Sequence, residues 1–249
     1  MSVIYETCRH NATEQGVTLP SFEQFWQDGR IDLSSHDAPV IMLEDFRRDP
    51  IRYPLQTPSG RIELFSERIA SFAYDECAGH PTWYEPVEWL GADRAATYPL
   101  HLISDQPNRR LHSQWDPSPH AASEKIKGRE PITIHPTDAE ARGIAAGDLV
   151  RVFNDRGACL AGARLSDAIR PGVVRLSTGA WFDPIGTLDK HGNPNTLTRD
   201  QGTSRLSQGC SAQSCLVDIA RHQGEVPPLT AHATPRFVSA ETSRGDDHD

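Results

Sequence analysis

The sequence predicts a mostly β fold over its second half, entered through a shorter, irregular N-terminal part that mixes helix and strand. Three observations carry this expectation. From Tyr98 onward, apolar runs of strand length (98–103, 149–153, 159–165, 173–176 and 215–219) alternate with Gly, Asn, Asp and Pro. The chain holds 18 Gly and 19 Pro, which punctuate the second half too often for long helices. Before that, Pro39, Pro50, Pro54 and Pro58 interrupt any regular element beyond the short segment 40–46. A domain boundary near residue 95 follows, dividing the chain into 1–94, 95–224 and a tail, 225–249.

Ser21 followed by Gln24 resembles a capping box, Phe22, Phe25 and Trp26 form an apolar stripe, and Gly29 can stop the chain's rotation. These predict a helix over about 21–28. Residues 61–65 alternate polar and apolar like a half-buried strand, and Ser66 then caps a helical turn carrying Ile69 and Phe72. Residues 77–97 are irregular. Among the later strands one short helix is expected, capped by Thr137 or Asp138 and ended by Gly143. Residues 154–157 (Asn-Asp-Arg-Gly) read as a hairpin turn, because Asn, Asp and Gly tolerate positive φ. Beyond Gly224 the chain turns to Pro, Thr, Ser, Ala and charge, which predicts disorder.

A net charge of −9 argues against nucleic acid, because phosphate binding needs a basic surface. No apolar run is long enough for a membrane span, and the first residues lack the basic and apolar regions of a signal peptide. As written, the chain is expected in the cytoplasm. The 5 cysteines form no CxxC pair, so a disulfide scaffold, a zinc ribbon and an iron–sulfur cluster all fit poorly. Cys77 and His80 have a metal-like spacing without a second pair, and no metal ligand set is expected. There is no GxSxG elbow, phosphate loop or GxGxxG, and no residue is assigned a catalytic role.

The densest polar segment, residues 104–115, follows an apolar strand, and strand-end loops are where a rigid scaffold places binding groups. Its mix of Asp, Gln, Asn, Arg, His and Ser suits a heteroaromatic ligand with amide-like edges and a pyrophosphate, or else a solvated loop. Residues 193–204 form a second such stretch, again either a binding loop or a floppy one. The indoles of Trp83, Trp89 and Trp115 are more often packing groups than platforms for a substrate.

At these residues the chain resembles the molybdopterin oxidoreductases of the dimethyl sulfoxide reductase family. The motifs are Thr57-Pro58-Ser59-Gly60-Arg61-Ile62-Glu63-Leu64, Cys77-Ala78-Gly79-His80-Pro81-Thr82-Trp83, Arg110-Leu111-His112-Ser113-Gln114, Asn154-Asp155-Arg156-Gly157 and, over residues 202–209, GTSRLSQG. The Arg-Leu-His-Ser-Gln string points to the S-oxide and N-oxide branch, that of biotin sulfoxide and trimethylamine-N-oxide reductases. The resemblance implies that 1–94 is the end of a central α/β region and that 95–224 is a double-psi β-barrel, the molybdopterin-dinucleotide-binding domain. It implies a bis-molybdopterin guanine dinucleotide cofactor, oxygen-atom transfer from a small S-oxide or N-oxide, and no iron–sulfur cluster in this chain.

The cofactor contacts so implied are Ser104, Asp105, Gln106, Arg110, His112, Ser113 and Gln114 toward pterin and pyrophosphate. Asn154, Asp155 and Asn195 would read guanine or pterin edges. The segment 115–120, Trp-Asp-Pro-Ser-Pro-His, departs from the small and polar residues usual there. Family members are much longer, so the partner expected is the missing N-terminal part, which supplies the serine ligand to molybdenum and could carry a periplasmic export signal. Alone, the chain is expected not to catalyse. The competing readings are a non-catalytic pterin-dinucleotide-binding module and an inert gene fragment.

Overall fold

The computed structural model describes residues 1–36 and 39–234, in two compact units that divide between Phe65 and Ser66. In the first unit, α1 (Ser2–Glu14) and α2 (Phe22–Asp28) pack through Tyr5, whose ring stacks on Phe25 with centroids 4.8 Å apart. α2 has the expected ends: the Ser21 hydroxyl accepts from the Gln24 N–H, and Gly29 takes the left-handed conformation at φ 70°. α1 has no apolar stripe that would announce it in the sequence. The segment expected as regular over 40–46 instead runs into a short helix, α3 (Glu44–Arg48).

The strand expected at 61–65 does not form. Among the described residues no second strand takes its backbone groups, Thr57 and Ser59 make local bonds to the Arg61 carbonyl instead, and Leu64 is 81% exposed. Among the described residues of 1–65, none is buried, so this unit has no core of its own.

The second unit begins with α4 (Glu67–Ala70), capped by Ser66 as expected. Its centre is a sheet built from β1 (Leu100–Ile103), β2 (Pro131–Ile134), β3 (Leu149–Phe153), β4 (Ala158–Leu165), β5 (Val173–Leu176) and β8 (Leu216–Arg221). The neighbours run β2-β5-β1-β8-β3-β4, and β2 also pairs with β4, closing six strands into a barrel. Two pairs are parallel, β1 with β5 and β2 with β4, and the other four are antiparallel. The short β6 (Pro184–Ile185) and β7 (Leu188–Asp189) extend the sheet from β4. This is a double-psi β-barrel.

Leu102, Ile132, Ile134, Val150, Val152, Val174, Leu176 and Val217 are wholly shielded from solvent inside it. Each such side chain contributes about 1.5–3 kcal/mol on burial. α5 (Pro119–Ala122) and α6 (Pro136–Glu140) lie in the connections, and His135 rather than Thr137 or Asp138 caps α6, its Nδ1 accepting from the Thr137 N–H. Asn154 to Gly157 does join two antiparallel strands, with Phe153 opposite Ala158. The turn uses no positive φ, however. Glycine is needed at 157 because a Cβ there would stand 2.8 Å from the Thr196 carbonyl oxygen.

Residues 66–94 belong to the barrel's unit, and Glu88 holds them there. Its carboxylate is 2% exposed and accepts two bonds from the Arg156 guanidinium, at 2.6 and 3.0 Å, and one from the Leu216 N–H at 2.8 Å. The expectation of disorder beyond 225 meets a segment fastened to the barrel as far as His232, while 235–249 lie outside the described residues. Among the described residues, no helix is long and apolar enough to cross a membrane.

Burial raises the Glu88 carboxyl's pKa, but the Arg156 and Leu216 hydrogen bonds outweigh it and leave the group below the usual carboxylate range. Its contribution to stability is thus fully present above an unfolded pKa of about 4.3 and is lost as pH falls through the lower folded value. Glu88→Ala leaves the Leu216 N–H unpaired and Arg156, still 25% exposed, without its carboxylate. Urea denaturation at neutral pH is expected to show a loss of about 2–4 kcal/mol, shrinking as the pH is lowered.

Candidate functional site

Parallel pairing of β1 and β5, with Ile103 beside Arg175, puts their C-terminal ends side by side. The chains leaving them, residues 104–115 and 177–183, therefore start from one rim of the barrel. Two ties hold these loops together: the Asp105 carbonyl accepts from the Thr178 N–H at 2.9 Å, and the Asp105 carboxylate accepts from the Ser177 hydroxyl at 2.7 Å. Trp181 Nε1 donates to the Ser113 carbonyl at 2.8 Å. Where they cross, a Cβ on Gly179 would sit 2.0 Å from the His112 carbonyl oxygen, and Gly179 itself has φ +91°. Only glycine allows this approach.

Between the two loops and the turn at Asn193 lies an open pocket of about 470 Å3, lined by His112, Ser113, residues 178–182, Asn193 and Asn195. The Asn193 side chain caps the short 3-10 turn Pro194–Thr196 by accepting from the Asn195 N–H, which leaves the Asn195 amide group exposed and unbonded. A second open pocket, of about 540 Å3, is lined by Glu76, residues 201–205 and Gln208.

The ten residues expected to bind cofactor fall into distinct groups. His112, Ser113 and Asn195 meet in the first pocket. Gln106 stands behind them, donating from Nε2 to His112 Nδ1 at 3.2 Å, while His112 is held at φ 49°. Ser104 is engaged through its backbone, its N–H and carbonyl both bonded to the Gln213 side chain. Gln114 is exposed with its side chain unbonded, outside both pockets.

Arg110 points inward. Its side chain is 3% exposed, it donates to the carbonyls of His112 and Thr178, and it pairs with Glu130 at 3.0 Å. That guanidinium fixes the two loops and does not face the pocket. Asn154 is also buried, donating to the carbonyls of Leu197 and Leu216 and accepting from the Arg156 N–H. Asp155 is exposed and bonded to Arg94. Both therefore secure the hairpin and lie apart from the pocket.

The loop 178–182 did not stand out in the sequence, although Ser-Thr-Gly-Ala directly after an apolar strand was the available signal. Parts of the stretch 193–204 line each of the two pockets. With neutral donors, backbone groups and the exposed faces of Trp181 and Phe182, the first pocket has the chemistry to take a fused heterocycle with amide-like edges.

Residues 100–216 match the family described as molydopterin dinucleotide binding domain. The dimethyl sulfoxide/trimethylamine N-oxide reductase of Cereibacter sphaeroides is 44% identical over 242 residues, covering 95% of this chain and 29% of that protein. Trimethylamine-N-oxide reductase 1 of Escherichia coli O157:H7 is 47% identical over 234 residues, covering 91% and 28%. Among solved structures, acetylene hydratase from Pelobacter acetylenicus shares the fold, at TM-score 0.57 and 20% identity over 70% of this chain and 25% of that one. Nearly all of this chain is thus similar to one part of the dimethyl sulfoxide and trimethylamine-N-oxide reductases, and residues 100–216 within it match a molydopterin dinucleotide binding domain. The chain spans under a third of the length of these relatives.

Gly179→Ala should close the approach of the two loops, with a stability loss of about 2–4 kcal/mol in urea denaturation from the left-handed backbone and the carbonyl clash together. At the second pocket, hydrogen bonds from Arg205 hold the Glu76 carboxyl down to about 2. A carboxyl carbon NMR titration should place Glu76 near that value, and Arg205→Ala should return it to about 4.3.

Proposed function

We propose that this chain is the part of a molybdenum-dependent S-oxide or N-oxide reductase that holds a bis-molybdopterin guanine dinucleotide. The carrying observation is the rim pocket, where His112, Ser113 and Asn195 are brought together from the two polar loops beside Trp181 and Phe182. Ser113 and Asn195 offer a hydroxyl and an amide whose hydrogen bonds are unspent, suited to a pterin or guanine edge. The second pocket adds the Gln208 amide, which gives one N–H to the Ser204 carbonyl and keeps the other, while the Thr203 and Ser204 hydroxyls donate to the Ser207 carbonyl. When bound, the cofactor supplies two-electron oxygen-atom transfer, by which an S-oxide or N-oxide with two electrons and two protons becomes the sulfide or amine and water. This chain's residues bind and orient the group, and Gly179 and Arg110 keep the two loops in register for it.

The same reading assigns residues 1–65 a place against the rest of a longer enzyme. Val40, Met42 and Ile51 are 97%, 81% and 89% exposed, and a unit with no buried residue among those described needs a neighbour to cover such side chains. The partner is the complementary N-terminal part of the enzyme, joined covalently or encoded separately.

The test is to produce the chain with that complementary part and measure molybdenum and guanine nucleotide in the purified complex. Near-stoichiometric amounts of both are expected. Asn195→Ala should lower cofactor content severalfold while the thermal midpoint of the cofactor-free chain stays unchanged, since its side-chain amide bonds nothing among the described residues. A complex that retains no pterin and reduces no S-oxide or N-oxide would refute the assignment.

A further inference from the structure

Below the rim, three residues far apart in sequence converge. Asp116 follows the first polar loop and has no solvent exposure, His191 follows β7 and is 1% exposed, and His232 comes from the segment after β8. One ligand atom from each lies within 4.8 Å of the others. They open onto a pocket of about 420 Å3 that is also lined by Lys125 and Leu229.

The orientations are those of a cation site. Lys125 Nζ lies 2.7 Å from both Asp116 Oδ1 and His191 Nε2. An ammonium only donates, so Nε2 carries the ring's lone pair and Nδ1–H donates to the Trp181 carbonyl, at 2.9 Å. Such a backbone carbonyl on the far nitrogen is the arrangement that orients metal-binding imidazoles. On the other side, His232 Nε2 lies 2.9 Å from Asp116 Oδ2. A buried carboxylate and an imidazole lone pair thus share a focus already occupied by a positive charge on a flexible stem.

We propose that Asp116, His191 and His232 bind one divalent transition-metal ion of the zinc type, displacing the Lys125 ammonium and stapling the C-terminal segment to the barrel. Imidazole with carboxylate selects zinc, cobalt, nickel or copper over magnesium and calcium. Three protein ligands leave a fourth tetrahedral position for water. Ligand distances of about 2.0–2.2 Å require the two groups now around Nζ to close in by about 0.5 Å each. The His232 ring must pass its proton from Nε2 to Nδ1 to ligate, and the net protonation of the ring does not change.

The staple has something to hold. The chain before His232 is already laid along the barrel, where Arg129 donates to the Pro227 carbonyl, Lys190 donates to the Pro228 carbonyl and the Thr230 hydroxyl, and Thr230 donates to Asp183. His232, at 33% exposed, is the outermost of these attachments and, among the described residues, the one ligand the segment contributes. A metal there converts a single hydrogen bond into a coordinate bond. Cofactor binding at the rim is not required.

Cobalt(II) titration of the cofactor-free 249-residue chain tests this, with zinc as competitor. The visible band of four-coordinate cobalt should grow to one equivalent without the near-ultraviolet thiolate band that the free cysteines would give. His191→Ala and His232→Ala should each weaken binding about 10–100-fold or more. Lys125→Met, which removes the competing charge, should tighten it about tenfold. Zinc should slow proteolysis between residues 224 and 234 in the wild type and leave the His232→Ala variant unaffected. No stoichiometric binding by the wild type, binding indifferent to either histidine, a thiolate band, or binding confined to Lys125→Met would each overturn the proposal. In the last case the lysine is the resident cation.

Discussion

Everything in the second unit depends on β2 pairing with two strands at once. Four residues, Pro131–Ile134, run antiparallel to β5 and parallel to β4, and this double pairing turns an open sheet into a barrel with no free edge among its six strands. Closure buries Ile132 and Ile134 completely and shields β4, which has neighbours on both sides. It also fixes where the connections emerge. The parallel β1 and β5 send their outgoing loops to one rim, and the pocket made by His112, Ser113, Gly179 and Asn195 is a product of that geometry.

A rim of polar loops would be floppy without internal charge to hold it. Here the charges lie beneath the pocket. Arg110 ties the backbone of both loops to Glu130 and stands 3.5 Å from Asp116, and Asp116 in turn is met by Lys125, His232 and the Trp181 N–H. Burial alone would raise the Asp116 carboxyl's pKa, but Lys125 and His232 hold it below its ordinary value. Glu130 is pushed up by burial despite Arg110. Such a network adds little net stability, yet each member constrains its neighbours, because leaving any one unpaired strands a buried charge. Arg110 thus shapes the site from beneath the pocket.

The two units differ in what holds them. The barrel has a continuous core, and residues 66–94 are locked to it through Glu88 and Arg156, joining the irregular chain to the hairpin that the Asn-Asp-Arg-Gly motif forms. Residues 1–65 have capped helices and one aromatic stack but bury nothing among the described residues. Local propensity and capping suffice to start such helices and do not suffice to keep them.

The strands β3 and β5, the caps at Ser21 and Ser66 and the 154–157 turn were legible in the sequence, because each is specified by neighbours a few residues away: apolar runs, a hydroxyl at N-cap, turn-forming side chains. Resemblance at five motifs in order pointed to the family and the cofactor class, and Arg-Leu-His-Ser-Gln to the branch. Three things took the tertiary structure to decide. β2, bounded by Pro131 and Pro136, did not stand out as an apolar run, and it exists through its two partners. Which polar residues face a ligand depended on burial, which turned Arg110 and Asn154 inward and left Ser113 and Asn195 outward. Asp116, His191 and His232 are separated by 75 and 41 positions, and no local pattern can announce residues that only a closed barrel and a returning C-terminal segment bring within 4.8 Å.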